Sequence, residues 1–185
     1  MTGITSDISI ASNGLLLLGH DPIASFTEPT AGATIAANLY ETSYLSLITA
    51  HRWRFATKKA KLARLSAKPL NGFNYQFQIP SDCLYVIRVS TVRYEIYEST
   101  IHCNDEALEM DFLYRVTEDR LPPYFAKMLE FFLAAQFAVP LTGDMNKGKY
   151  FQAMYLNELK RAKFADSTQR PNVGFQDSPY TATRY

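Results

Sequence analysis

The sequence predicts an α+β protein: N- and C-terminal helices packed together as a helical bundle, a central antiparallel β-sheet lobe, and an extended C-terminal arm. Three observations carry this. The hydrophobic period is helical up to residue 51, becomes alternating or β-rich between residues 58 and 116, and turns helical again from Pro122 to about residue 166. The links between the β-rich runs are too short for helical crossovers, so the strands pair antiparallel. Beyond residue 166 all periodicity stops. The expected division is one α+β domain over 1–166, with a helical part at 6–51 and 122–166 and a β part at 55–116, followed by an arm at 167–185.

Each element has local reasons. The spacing predicts a first helix over 6–18, with Ser6 as N-cap, Asp7 in the first turn and Gly19 at the stop. Ile8, Ala11, Leu15 and Leu18 share its apolar face. Asp21-Pro22 and Glu28-Pro29 break the chain. A second helix follows over 31–51, with Ile35, Leu39, Tyr44, Leu47 and Ile48 as its stripe and Ala36 and Ala37 for close contact. His51 ends it, where an imidazolium would suit the helix dipole. The segment His51-Arg52-Trp53-Arg54-Phe55-Ala56-Thr57 is a joint from helix to sheet, with Trp53 and Phe55 as its buried plug. Strand-like runs follow at 58–65, 73–79, 84–90, 92–97, 100–103 and 109–116, punctuated by turns at Asn71-Gly72 and Asn104-Asp105. Phe73, Tyr75, Phe77 and Ile79 alternate with Asn74, Gln76 and Gln78, which predicts one buried and one wet sheet face. A second joint spans 75–84, where one strand ends at Pro80 and the next starts after Asp82.

Pro122 opens a third helix without losing a hydrogen bond. Phe125, Met128, Leu129, Phe132, Leu133 and Gln136 trace its broad face, and Pro140 and Gly143 end it. A last helix covers 145–166 with Phe151, Met154, Tyr155, Leu159 and Ala162 inward. The arm has no aliphatic cluster and cannot repay the entropy of folding alone. It carries Phe175, Tyr180, Arg184 and Tyr185, spaced aromatics and a cation suited to anchoring on a partner.

Charge and composition narrow the function. The net charge of +1 gives no global pull toward nucleic acid or membrane. Its distribution is uneven. Seven basic and no acidic residues lie between Arg52 and Lys68; eight acidic residues and one basic lie between Glu95 and Asp119. Such asymmetry marks either complementary surfaces of an assembly or two solvated strand faces. Cys83 and Cys103 fit neither a disulfide framework nor a zinc site, and a bond between them stays open. The start lacks the pattern of a signal peptide, and no apolar run reaches membrane-spanning length, so folding in a reducing cytoplasm is expected.

The chemistry-bearing motifs are missing: no phosphate-cradling glycine loop, no His-x-x-x-His pair, no Gly-x-Ser-x-Gly elbow. His102 and Cys103 are adjacent on a strand and point to opposite faces, which disfavours a catalytic pair. His20 and His51 sit at helix ends. Glu109 and Asp111 share a strand face, the arrangement of a glycosidase pair or of a solvated edge. The expectation is therefore no enzyme, no cofactor and no metal. Lys58, Lys59, Lys61, Arg64 and Lys68, with Arg52 and Arg54, form a DNA-facing or subunit-interface basic segment that could neutralise phosphates.

The order of these features resembles the tail tubular protein A family of short-tailed phages. The resembling pieces are Leu16-Leu17-Leu18-Gly19-His20-Asp21-Pro22-Ile23, Asn38-Leu39-Tyr40, the joint at 51–57, Phe77-Gln78-Ile79-Pro80-Ser81-Asp82-Cys83-Leu84, Tyr114-Arg115-Val116 and Ala138-Val139-Pro140-Leu141-Thr142-Gly143. They span about 6–164. The family carries Pro after the His of the joint and Asn after its Trp; Arg52 and Arg54 stand there in this chain, as in a divergent member. The resemblance implies a structural virion protein, a head-to-tail adaptor forming a dodecameric ring that frames the DNA channel. Its implied partners are further copies of itself, the portal protein, the tail nozzle, tail fibres near the nozzle boundary, and the passing genome. It implies a virion location after assembly in the bacterial cytoplasm, and an arm lying along the portal. The alternatives are a nucleic-acid-binding module using 52–68 and a virion-associated glycan hydrolase.

Overall fold

The computed structural model describes residues 5–169. Two helices come first, α1 (Asp7–Leu17) and α2 (Ala31–Thr49). Seven strands follow: β1 (Thr57–Lys61), β2 (Ala63–Arg64), β3 (Tyr75–Gln78), β4 (Cys83–Val89), β5 (Tyr94–Tyr97), β6 (Thr100–Cys103) and β7 (Glu109–Tyr114). A short 3-10 turn, Glu118–Arg120, leads to α3 (Pro123–Thr142) and α4 (Met145–Ser167). The α+β class is as the sequence predicts.

Three of the helix N-termini and the C-terminus of α3 are capped by residues that cap well. The Ser9 N–H donates to Ser6 Oγ at 3.1 Å while the Ser6 N–H donates to Ser9 Oγ at 2.8 Å, a reciprocal capping box. Thr30 caps α2 and Asp144 caps α4. Gly143, at φ +67°, ends α3 in the left-handed conformation. Pro140 does not help to end it, against expectation, but lies inside the last turn. Its ring costs the single bond to the Gln136 carbonyl, and the Gly143 N–H to the Val139 carbonyl (2.9 Å) holds the turn closed.

Helix α3 is the centre of the helical layer and packs against α1, α2 and α4. By length and composition alone it could cross a membrane, which the sequence reading did not expect of any segment. Its place as the central helix explains its apolar character. Helices α1 and α3 approach closely at Gly14, where an added Cβ would meet the Leu133 Cβ at 3.3 Å. The buried face of each of these helices differs in part from expectation. Ile10 is buried and Ile8 only partly; Ala33 and Tyr40 are buried while Ile35 and Leu39 are partly so and Ala37 is exposed. On α3, Phe137 is buried and Gln136 exposed.

The β part holds two antiparallel sheets rather than the single sheet predicted: β1-β7-β4 and β2-β3-β6-β5. The division falls at Leu62. The expected run 58–65 stops pairing there, Leu62 is buried, its N–H binds the Leu108 carbonyl at 2.8 Å, and the chain crosses to the other sheet. Leu62, Phe77, Val89, Ile101, Cys103, Leu108, Met110 and Phe112 fill the space between the sheets. Alternation along β7 then sends Leu113 the other way, into the helical core with Trp53, Val116 and Phe125. The three-stranded sheet is thus a middle layer between the helices and the four-stranded sheet.

Candidate functional site

The two joints and the basic segment are where the sequence places function. In the first joint, Trp53 is fully buried and its indole N–H donates to the Leu47 carbonyl at 2.9 Å. Its ring meets His51 edge-on at 4.8 Å and Phe125 at 5.2 Å, and Phe55 meets Phe125 at 5.0 Å. Trp53 fills the place expected of the plug, while Phe55 is only half-buried. His51 lies beyond the C-cap Ala50. Burial, then the Lys163 ammonium, push its pKa below the ordinary imidazole value, so the imidazolium expected at this helix end is disfavoured.

Arg54 is held by a residue that sequence reading missed. Asp166, almost wholly buried at 2 % exposure, accepts the Arg54 backbone N–H on both carboxylate oxygens at 3.1 Å and the Tyr124 hydroxyl at 3.0 Å. Burial, then that carboxylate, raise the Tyr124 pKa. The signal was present: Tyr155, Leu159, Ala162 and Asp166 continue the inward stripe of α4, so a carboxylate stands at a core position. The side chains of Arg52 and Arg54 remain exposed, and neither has a carboxylate within salt-bridge distance among the described residues.

In the second joint Phe77 is buried, and the Cys83 N–H closes a turn on the Pro80 carbonyl at 3.0 Å. Asp82 binds Lys58 at 2.7 Å, and the same ammonium sits 3.9 Å over the Tyr114 ring. The return from sheet to helices is held by Arg115. Its guanidinium binds Glu41 on α2 and Glu118, each at 2.8 Å, and lies over the Tyr44 ring, whose hydroxyl donates to the Val116 carbonyl at 2.7 Å. The hydrogen bonds from Arg115 pull the Glu41 pKa below the usual carboxylate range.

The basic segment is not brought together. Alternation on β1 turns Lys58 to one face and Lys59 and Lys61 to the other, while Arg64 belongs to the second sheet and stacks 4.2 Å over Tyr75. Much of its charge is answered within the chain. Lys59 lies opposite Asp111 and Lys61 opposite Glu109 in the β1–β7 pairing, and Lys59 binds Glu109 at 2.9 Å. Part of the charge asymmetry of the sequence, Lys59 and Lys61 against Glu109 and Asp111, therefore belongs to two strands that pair with each other. Glu109 and Asp111 share this face with Arg88, which lies opposite Asp111. The ion pair to Lys59 lowers the Glu109 pKa, the opposite of what a general acid for glycoside cleavage needs.

His102 and Cys103 do face apart. Cys103 is buried, and the His102 ring lies within 3.1 Å of Asn71 Oδ1 and 3.0 Å of Thr100 Oγ1. Cys83 and Cys103 belong to different sheets and both are free; burial pushes both thiols up. His20 is half-buried just past α1. Among the described residues there is no group of three or more His, Cys, Asp or Glu placed to hold a metal ion. An open cleft of about 550 Å³ is lined by Lys68, Leu70, Asn71, Gln76, Tyr97 and His102. Several of its polar groups already bind one another: Asn71 and Tyr97 both donate to Glu95, and Asn71 also meets His102. Phe175, Tyr180, Arg184 and Tyr185, the expected portal-binding residues, lie outside the described residues. The chain matches no family model, and no curated protein matches it.

Proposed function

We propose that this chain is a structural virion protein, a head-to-tail adaptor of the tail tubular protein A kind. It would form a ring between portal and nozzle and frame the DNA channel. One observation supports this above the others: three of the six resembling segments lie where the chain passes between layers. Residues 51–57 lead from α2 to β1, 77–84 lead from one sheet to the other, and 114–116 return to the helices. The buried Trp53 and Tyr44 hydrogen bonds and the Lys58 and Arg115 ion pairs lie at these passages. The decisive experiment mixes the purified chain with its portal and images the product. A ring of copies on the portal is expected; deleting residues 169–185 should leave a folded chain that no longer joins it. Density for this chain anywhere other than between portal and nozzle would overturn the proposal.

A second reading, sequence-blind binding to nucleic-acid phosphates, is favoured by one observation: Arg52 and Arg54 are exposed and neither has a carboxylate within salt-bridge distance among the described residues. It moves the expected contact from the strand lysines to the joint.

A further inference from the structure

The outer face of the four-stranded sheet carries the open cleft at Tyr97 and His102. Ile101 and Cys103 on β6 point into the core between the sheets, so alternation turns Thr100 and His102 outward. Gln76 on β3 lies opposite His102, and Tyr97 on β5 lies opposite Thr100, so both face out with them. The segment from Lys68 to Asn71 walls the cleft, whose volume of about 550 Å³ is that of a small-molecule site.

Its polar groups fall into two sets. One set is used within the chain: Asn71 and Tyr97 donate to Glu95 at 3.1 and 2.7 Å, and the His102 ring meets Asn71 and Thr100. This network holds the Tyr97 and His102 rings, whose centroids lie 5.1 Å apart, and rings braced from behind are pre-organised for a ligand. The other set is free. The side chains of Lys68, Gln76 and Glu98 line the cleft with no hydrogen bond or ion pair among the described residues. Glu98 is also strained. At φ +49° it is the one residue other than glycine with a positive φ among the described residues. Glycine would hold this turn without the steric cost of a Cβ, and such strain persists where a side chain serves a site.

We propose that this cleft binds a neutral sugar residue of a glycan. The Lys68 ammonium only donates and the Glu98 carboxylate only accepts, so the ligand must offer acceptors and donors together. A sugar hydroxyl is both at once, and the Gln76 amide, with an oxygen and an NH₂ group, matches it from the floor. The Tyr97 ring, 48 % exposed, supplies a flat apolar surface for the C–H face of the sugar ring. Lys68 and Glu98 offset each other in charge, which gives no pull on the phosphate of a nucleotide. A peptide main chain is recognised by the unpaired groups of a sheet edge, whereas this cleft lies on a sheet face. The site is independent of the adaptor role, and the failure of either leaves the other standing.

The test follows the backbone amide resonances of the full, isotope-labelled chain. Glucose, galactose, mannose and N-acetylglucosamine are each raised to about 50 mM, which reaches millimolar dissociation constants. At least one sugar should move the amides of Lys68, Asn71, Gln76, Tyr97 and His102 and leave those of the helices in place. Tyr97→Ala and Gln76→Ala should each raise the dissociation constant about tenfold. Glu98→Gly should weaken binding by a similar factor yet leave the melting temperature unchanged or higher, because glycine relieves the positive φ. Circular dichroism checks that each variant is folded; should Tyr97→Ala unfold, the other two carry the test. Four sugars that leave these amides unmoved overturn the proposal, and so does binding that survives the substitutions. A Glu98→Gly chain that melts earlier also counts against it, since Glu98 would then serve the turn. Acetyl-trialanine amide is titrated alongside: if it moves the same amides at lower concentration than any sugar, the cleft is a peptide site and the sugar assignment fails.

Discussion

Glu130 is a residue at which burial and charge oppose each other. It sits on α3 facing α1, where the Asn13 amide donates to it at 2.6 Å. Burial outweighs that bond and raises its pKa above the usual carboxylate value. A folded-state pKa above the unfolded one means a contribution to stability that is complete at low pH and lost as pH rises through the raised value. At neutral pH the ionised carboxylate is therefore a cost. Glu130→Gln keeps an acceptor for Asn13 and removes the charge. It should stabilise the protein at pH 7 by less than about 1 kcal/mol, the scale of a partly solvated site, with the gain gone by about pH 4. Urea unfolding at the two pH values checks this; an equal effect at both would show that charge is not the cause. Nothing in the sequence singles out Glu130, because its burial comes from the approach of α1 at Gly14.

Element boundaries were legible because period and caps agree. Ser6 and Gly143 each specify one local conformation that tertiary contacts do not override, while the strand expected over 73–79 pairs only over Tyr75–Gln78. The division into two sheets was not legible, because Leu62 is one apolar residue inside a basic run and periodicity cannot show a change of partner. The pairing of β1 with β7 was half legible: the opposite charges were visible, but not that they belong to neighbouring strands. This gives an element-scale prediction. Lys59→Glu should lower the melting temperature, since it opposes Asp111 and adjoins Glu109. Glu109→Lys should lower it as well, by facing Lys61 and adjoining Lys59. The double swap should recover part of the loss, leaving Asp111 as the residual determinant of register. Because the pair is exposed, the coupling should fade in 1 M salt. Strictly additive losses at low salt would mean the charges play no part in pairing these strands.

At the scale of the whole molecule, the question is whether helices and sheets unfold together. They share the middle sheet: Phe112 belongs to one core and Leu113 to the other. Asp166 adds a second tie, fastening the end of α4 to the joint between α2 and β1. Its removal would leave the Arg54 N–H and the Tyr124 hydroxyl without their partner at a half-buried site. Asp166→Ala should therefore cost about 3 kcal/mol, the scale for losing one side of a buried charged hydrogen bond. Asp166→Asn, which keeps an oxygen acceptor, should cost less. If the tie couples the layers, urea unfolding followed by Trp53 fluorescence and by far-ultraviolet circular dichroism should remain one coincident transition, moved to lower denaturant. If instead Asp166 only fastens a helix end, Asp166→Ala will speed amide exchange in the last turns of α4 and leave the global midpoint where it was. The coupled outcome is expected, because the bond from Asp166 reaches Arg54, the residue next to the buried indole that both the helices and the joint pack around.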